Sequence, residues 1–316
     1  MDFNVSVIES VGMLILLILL TTVLRKFGAL KEDYGGIFAK IVTLYTLPAL
    51  IFESLSQTQF DAEKLWLPVV MIISQLACAL IALGISNLLK LSRPKKGALI
   101  LASTFTSSGF LGYAVIKEIY GQDLNTLSDA AYVSELGVAT LIFTLGVLIA
   151  IEFGTKTNSR KEKLKESLKF FYSPIFIALI LGIAFSFVDL PKDNYLVQTF
   201  YKLLRLVSVA NTLLVTLTIG VLLKFKDLSK VLPIVLLACI IKLIVQPILT
   251  HWQAEWLSFP DLWYQIVIIE SAMPTAALTA VFSKKYGCDT ELTTILIFAT
   301  FISSIFTIIM MVFLLG

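Results

Sequence analysis

The sequence contains a single histidine, His251, and this scarcity excludes several kinds of site. His251 lies beside Trp252 at the predicted end of a hydrophobic segment. A histidine-ligated metal site and a Ser-His-Asp triad both need a histidine held among partner side chains. We therefore predict no metal centre and no triad of this type.

Cysteine is also scarce, and the three cysteines are isolated. Cys78 and Cys239 lie in apolar runs, and Cys288 lies in a short polar turn. This pattern indicates neither disulfides nor a metal site. The chain also lacks a glycine-rich phosphate loop and a basic-aromatic stripe, so we expect no cofactor, no nucleotide-driven pumping and no nucleic-acid partner.

Charged residues make up only 15% of the chain, whereas 58% of its residues are hydrophobic and its mean hydropathy is +0.90. A soluble domain could not bury this much apolar surface, so the sequence predicts an integral membrane protein with the lipid bilayer as its surroundings. Long apolar runs, rather than short alternating segments, favour helices over a closed barrel.

A window of about 19 residues predicts ten transmembrane helices. The predicted spans are 7–24, 37–55, 66–90, 97–120, 130–153, 172–189, 196–223, 231–250, 262–286 and 290–315. The first span has acidic residues before it and Arg25 and Lys26 behind it, so it is interpreted as a retained helix rather than a signal peptide.

Basic residues cluster in every second connection between these spans, near 25–31, 90–96, 156–169, 224–230 and 284–285. The positive-inside rule therefore predicts a multi-pass protein of the cell (plasma) membrane with both termini outside and a cytoplasmic central linker. The tryptophans agree, because all of them fall at span ends placed outside: Trp66, Trp252, Trp256 and Trp263.

The charged central stretch predicts a division of the chain into two repeats. We expect a first five-helix repeat over 1–153, a cytoplasmic linker over 154–171 and a second repeat over 172–316. A shift of about 165 positions lays Leu232-Pro233 on Leu67-Pro68, and one position more lays Tyr286-Gly287 on Tyr120-Gly121. Because five is odd, the halves must run in opposite directions, which is the inverted-repeat plan of many secondary transporters.

Spans four and nine are the predicted broken helices and the predicted substrate site. Span four concentrates hydroxyl and glycine residues at its centre, and span nine has a proline at the equivalent depth. Such residues interrupt a helix and expose backbone groups, although close helix packing and a simple kink are the alternative explanation. The substrate-binding candidates are Thr106, Ser107, Ser108, Gly109, Gly112, Pro274 and Thr275.

Ionisable residues inside predicted spans are candidates for coupling or charge compensation. Lys242 lies midway through span eight, and Glu270 lies one turn before Pro274, so Glu270 could carry a proton or pair with Lys242. Glu135 is a further candidate, whereas Glu53 and Glu118 lie near span ends and are expected to reach water. Asn211 in span seven is included among the substrate candidates, with an interhelical hydrogen bond as its alternative role.

Three stretches of the sequence resemble the auxin efflux carrier family, within the superfamily of bile acid, auxin and arsenite transporters. They are Leu47–Phe52, Gly109–Tyr113 continuing to Lys117–Gly121, and Ala272–Pro274 continuing to Phe282–Tyr286. The resemblance covers essentially the whole chain. It implies a scaffold domain of spans one, two, six and seven, and a transport domain of spans three to five and eight to ten that moves in an elevator-like manner.

The resemblance also implies a substrate class and a site at the crossing of the two broken helices. Family members carry carboxylates, which are auxin in plants and dicarboxylates such as malate or malonate in some bacteria. The polar position that is usually Asn is Ser107 here, the neighbouring proline is Thr106, and a second customary proline is Ala114. A serine lacks the paired donor and acceptor of a carboxamide, so an anion would be held differently.

We therefore predict a secondary transporter of a small organic anion and not an enzyme. The expected partners are this anion, a coupling proton or sodium ion, the bilayer, and a second copy of the chain in a homodimer. The alternatives are a transporter-like channel or sensor, and a membrane-embedded enzyme with Ser107 or Ser108 as nucleophile.

Overall fold

The computed structural model of the protein describes residues 3–31, 33–121, 123–155, 168–188, 194–222 and 231–315. Most of the predicted cytoplasmic linker and the basic cluster at 224–230 lie outside the described residues. At these places, the predicted orientation in the membrane therefore rests on the charge pattern of the sequence alone.

The described residues form twelve helices and no β-strand, with short 3₁₀ turns at Ala62–Leu65 and Lys169–Tyr172. The helices are α1 (Phe3–Lys26), α2 (Asp33–Ser56), α3 (Trp66–Leu88), α4 (Arg93–Thr104), α5 (108–120), α6 (Leu124–Phe153), α7 (Pro174–Ser186), α8 (Tyr195–Leu222), α9 (Leu232–Trp256), α10 (Asp261–Ala272), α11 (Leu278–Tyr286) and α12 (Thr290–Leu315). The prediction of an all-helical membrane protein is confirmed.

Seven of the described helices are long and apolar enough to cross a membrane, namely α1, α2, α3, α6, α8, α9 and α12. The other three predicted spans are either short or divided into two helices. Span six corresponds to α7, an apolar helix of only 13 residues. Span four is divided into α4 and α5, and span nine into α10 and α11.

Local chemistry explains where several helices begin. The Ser173 hydroxyl accepts a hydrogen bond from the amide of Phe176, and Pro174 occupies the first turn of α7. The Asp123 carboxylate likewise accepts from the amide of Thr126 at the start of α6. Side chains of this kind satisfy amides that have no partner within their own helix.

The two Tyr-Gly pairs matched by the sequence shift both end a helix. α5 ends at Tyr120 and α11 ends at Tyr286, and the following Gly121 and Gly287 have φ angles of +68° and +88°. Glycine is favoured there because it adopts positive φ without a steric penalty.

The helices pack in two groups. α1, α2, α7 and α8 contact one another, with α7 lying along α2 and α1 along α8, while α3, α4, α6 and α9 to α12 form a second group. Helix α5 contacts both groups, because it packs against α6 of the second group and against α1 and α8 of the first. It therefore lies where the two groups meet.

Large apolar side chains cover the outside of the bundle. Leu16, Leu80 and Leu206 are 67%, 68% and 74% exposed. Exposed apolar surface on this scale is unfavourable in water but suits contact with lipid chains. The outer surface thus agrees with the bilayer environment inferred from composition.

Gly220 provides a test of the contact between α1 and α8. A Cβ atom at Gly220 would lie 2.5 Å from Thr21 Cβ and 2.7 Å from the Ile18 carbonyl oxygen. Gly220→Val is expected to lower the stability by about 1–3 kcal/mol, because the helices must move apart. Thermal unfolding of the purified protein in detergent measures this effect.

The matched control is Gly84→Val, because a Cβ atom at Gly84 would meet nothing within 4 Å. A Gly220→Val protein as stable as Gly84→Val would contradict the close packing of α1 on α8.

Candidate functional site

The two interrupted helices meet where each is broken. Residues 105–107 separate α4 from α5, and residues 273–277 separate α10 from α11. An isolated antiparallel bridge joins Thr106 to Thr275, with the Ser107 amide donating to the Pro274 carbonyl at 2.7 Å and the Ala276 amide donating to the Phe105 carbonyl at 2.9 Å. Each break therefore supplies backbone partners that the other has lost.

Threonine hydroxyls reinforce this junction. Thr106 Oγ1 donates to the Glu270 carbonyl at 2.9 Å, and Thr275 Oγ1 donates to the Ala102 carbonyl at 2.5 Å. Both acceptors lie in the last turn of a helix, where carbonyls lack intrahelical donors. Thr106, in place of the customary proline, thus holds the junction with its side chain, and the break in span four forms without a proline.

Two buried glutamates approach the first turn of α5. A Cβ atom at Gly112 would overlap Glu270 Oε2, and one at Gly109 would lie 3.5 Å from Glu135 Oε1. Gly109 and Gly112 both lie in the π-helical first turn of α5, Ser108–Gly112, so the carboxylates of Glu270 and Glu135 both lie against this turn. Gly112 is required because any side chain there would occupy the position of the Glu270 carboxylate.

Neutral hydroxyl groups contact both carboxylates. Ser134 Oγ lies 3.4 Å from Glu270 Oε2, and the Tyr113 hydroxyl lies 3.5 Å from Glu135 Oε1. Glu270 Oε1 is buried without a hydrogen-bond partner. The ion pairs in the described part of the chain involve other acids, at Asp129, Glu152 and Glu53.

Lys242 is fully buried, but it does not pair with Glu270. Its ammonium group donates to Gln246 Oε1 at 2.8 Å and to the Ser271 carbonyl at 3.0 Å. Ser271 lies in the last turn of α10, where a positive charge is favoured by the helix dipole. Lys242 therefore stabilises the end of the broken helix through a backbone carbonyl rather than through the Glu270 carboxylate.

The remaining predicted substrate residues differ in exposure. Ser107 and Gly109 are partly exposed, Ser108 and Pro274 are buried, and Ser108 Oγ has no hydrogen-bond partner. Asn211 lies on α8 outside the junction, where its Oδ1 accepts from Thr46 Oγ1 at 2.8 Å. Its Nδ2 is buried without a partner.

A polar cluster beside the junction was not predicted from the sequence. The Lys117 ammonium on α5 donates to the Ser208 carbonyl on α8 at 2.8 Å, and Ser208 Oγ donates to Glu53 Oε2 on α2 at 2.8 Å. Glu53 is only 4% exposed, so the expectation that it reaches water is wrong. Arg205 Nε, 3.7 Å from Glu53 Oε1, completes the cluster.

The sequence model of a family described as membrane transport protein matches residues 6–312. The chain belongs to this family. It is the auxin efflux carrier family that the sequence motifs indicated, and its members are membrane transporters, which identifies the chain as a multi-pass transporter rather than an enzyme.

Two archaeal relatives of the same family are similar over nearly their whole lengths. An uncharacterized transporter of Methanocaldococcus jannaschii is 31% identical over 297 residues, covering 92% of this chain and 93% of the relative. An uncharacterized transporter of Methanothermobacter thermautotrophicus is 26% identical over 300 residues, covering 94% of each.

Gly112→Ala tests the approach of Glu270 to α5. The added methyl group would displace the carboxylate, so we expect a thermal stability lower by about 1–3 kcal/mol. Gly109→Ala is the matched control, because its methyl group would make only ordinary contact with Glu135. Removing the obstructing carboxylate in a Gly112→Ala/Glu270→Ala double variant should recover part of the loss. Equal stabilities of the two alanine variants would show that Glu270 lies elsewhere.

Lys242→Met tests the role of the buried ammonium group. The Ser271 carbonyl and Gln246 Oε1 would lose their donor, so we expect a stability loss of about 1–3 kcal/mol. Thermal unfolding in detergent checks this, with Lys40→Met at an exposed position as the control. An unchanged melting temperature in Lys242→Met would contradict the assignment of these contacts.

Proposed function

We propose that the protein is a secondary transporter of a small organic anion, a carboxylate such as malate, malonate or an auxin-like acid. The observation that supports this proposal is the junction of the two interrupted helices. Helices α5 and α11 begin at this junction, and their N-terminal ends carry partial positive charge that attracts a carboxylate. A site of this kind, at broken helices within a membrane bundle, is typical of secondary transporters.

We further propose that the chain consists of ten transmembrane helices in two inverted five-helix repeats, 1–153 and 172–316, joined by the linker 154–171. Contacts between equivalent positions support this arrangement. Thr46 and Asn211 are hydrogen-bonded and lie 165 positions apart, and Cys78 Sγ contacts the Ile241 carbonyl, 163 positions away. Equivalent residues meet in this way when they lie near a two-fold axis between inverted repeats.

In the proposed mechanism, the helices divide into a scaffold and a moving transport domain. The packing of α7 on α2 and of α8 on α1 and α2 supports the scaffold assignment, and α4, α10 and α11 of the broken helices belong to the other group. An elevator-like movement would carry the junction and its anion across the membrane. Both termini lie outside in this scheme, the linker is cytoplasmic, the protein resides in the plasma membrane, and two copies form a homodimer.

Within the site, we assign substrate binding to the residues of the two breaks and the start of α5, namely Thr106, Ser107, Ser108, Gly109, Gly112, Pro274 and Thr275. We add Asn211 on α8, whose Nδ2 is buried without a partner. Glu270 and Glu135 are assigned to coupling with a proton or sodium ion. Lys242 compensates charge at the end of α10, because its ammonium group binds the Ser271 carbonyl.

Uptake of labelled malate, malonate and indole-3-acetate into proteoliposomes, under imposed pH and sodium gradients, tests this function. We expect saturable uptake of at least one anion by the wild type. Pro274→Ala and Lys242→Ala should lose most of this uptake, because both disturb the junction or its supporting helix end.

The matched control is Pro174→Ala, which removes a proline at the start of α7, away from the junction. Absence of saturable uptake of all three anions by the wild type would overturn the proposed substrate class. Uptake equally reduced in Pro174→Ala and Pro274→Ala would remove the assignment to the junction.

A further inference from the structure

The first turn of α5 has backbone amides with no partner in the described part of the chain. The Ser107 amide donates to Pro274, and the Leu111 amide donates to the Ser107 carbonyl at 2.9 Å. Between them, the amides of Ser108, Gly109 and Phe110 have no hydrogen-bond acceptor among the described residues. Gly109 and Phe110 are partly exposed, so a ligand can approach these donors.

The Ser108 side chain is a second, independent sign of a ligand at this place. Its hydroxyl group is fully buried and has no hydrogen-bond partner. Buried hydroxyl groups are rarely left unsatisfied. Its position as the first residue of α5 adds a fourth donor to the three unpartnered amides.

The Glu135 carboxylate lies beside this group of donors. Its Oε1 would be only 3.5 Å from a Cβ atom at Gly109, the middle residue of the three with unpartnered amides. A negative charge is stabilised at a helix N-terminus. Ionised Glu135 therefore occupies the environment that a substrate carboxylate would need.

The other ionisable side chains around Glu135 do not compensate the negative charge of its carboxylate. Tyr113 contacts its Oε1 from α5, and Glu270 approaches Gly112 in the same first turn of α5. On α6 itself, Asp129 is paired with Lys64, and on α2, Glu53 is bonded to Ser208. α3 and α7, which also pack against this part of α6, contain no Asp, Glu, Lys or Arg.

We propose that ionised Glu135 acts as an internal substitute for the substrate carboxylate at the start of α5, so that the anion binds only together with a proton on Glu135. This inference rests on the proposed function. In the empty carrier, Glu135 supplies the negative charge at the helix end. In the loaded carrier, Glu135 is protonated and one substrate carboxylate supplies that charge, so one proton accompanies each anion.

Glu270 has a different role in this scheme. Its carboxylate packs against Gly112, whose amide is already bonded to the Ser107 carbonyl at 3.2 Å. It therefore contacts a residue whose amide already has an acceptor, whereas Glu135 contacts Gly109, whose amide has none among the described residues. Only the substitution at Glu135 should abolish the competition between ionised acid and substrate.

The experiment measures binding of labelled malate, malonate and indole-3-acetate to the purified full-length protein between about pH 6.5 and about pH 8.5, where the ligands are ionised. In the wild type, the apparent Kd should rise up to about tenfold per pH unit, because one proton is bound with each anion. Glu135→Gln, a neutral isostere of the protonated acid, should bind with the low-pH affinity at every pH. In weak buffer, proton uptake on anion binding should also disappear in this variant.

Two variants serve as controls for the pH dependence. Glu118→Gln removes an exposed acid from α5 and should retain the wild-type Kd and its dependence on pH. Glu270→Gln removes the neighbouring buried acid, which is assigned to coupling, so its Kd is expected to change; the slope of its Kd with pH should persist as long as Glu135 is present. If Glu135→Gln does not fold, Glu135→Asp keeps the carboxylate but draws it away from Gly109, and tighter anion binding at high pH than in the wild type is expected.

Three results would overturn the inference while leaving an anion carrier. They are unchanged pH dependence in Glu135→Gln, unchanged high-pH binding in a Glu135→Asp protein tested in its place, and loss of the dependence in Glu270→Gln alone. Absence of saturable binding of every anion to the wild type would overturn the proposed function and the inference with it.

Discussion

Backbone hydrogen bonding at the two helix breaks is the constraint on which the rest of the structure depends. Inside a bilayer no water is available to amides and carbonyls, so a broken helix must find partners within the protein. The Thr106–Thr275 bridge supplies these partners from one break to the other. The same arrangement leaves the amides that begin α5 without acceptors among the described residues, and it is there that the proposed anion would bind.

The buried charges are arranged around this junction according to helix polarity. Lys242 binds a carbonyl at the C-terminal end of α10, whereas Glu135 approaches the N-terminal end of α5. Each charge is therefore placed at the helix end that stabilises it. Lys117 follows the same rule. It binds the Ser208 carbonyl just before the turn at Ala210, where the first segment of α8 ends at Val209. This cation also connects α5 to the opposite group of helices, across the boundary that an elevator-like movement would shift.

The sequence carries local signals of an interrupted helix at both breaks, in the form of glycine, proline and clustered hydroxyl residues. It did not predict which side chains meet, because contacts depend on the direction in which each helix face points. Glu270 and Lys242 were possible partners by depth alone. In the structure, however, the Lys242 ammonium group donates to the backbone carbonyl of Ser271, while the Glu270 side chain points to Gly112 on α5. Burial of Glu53 by α8 has no local signal at all, and no periodicity placed Lys117 against Ser208.

Substrate protection of a cysteine at Ser107 tests the central claim most directly, since Ser107 is partly exposed at the junction. Cys239 would be replaced by serine first, while Cys78 and Cys288 are buried. Malate, malonate or indole-3-acetate, whichever is transported, should slow thiol labelling of Ser107→Cys but not of Lys40→Cys at an exposed control position. Equal labelling of Ser107→Cys with and without the saturating transported anion would contradict substrate binding at the junction of the two broken helices.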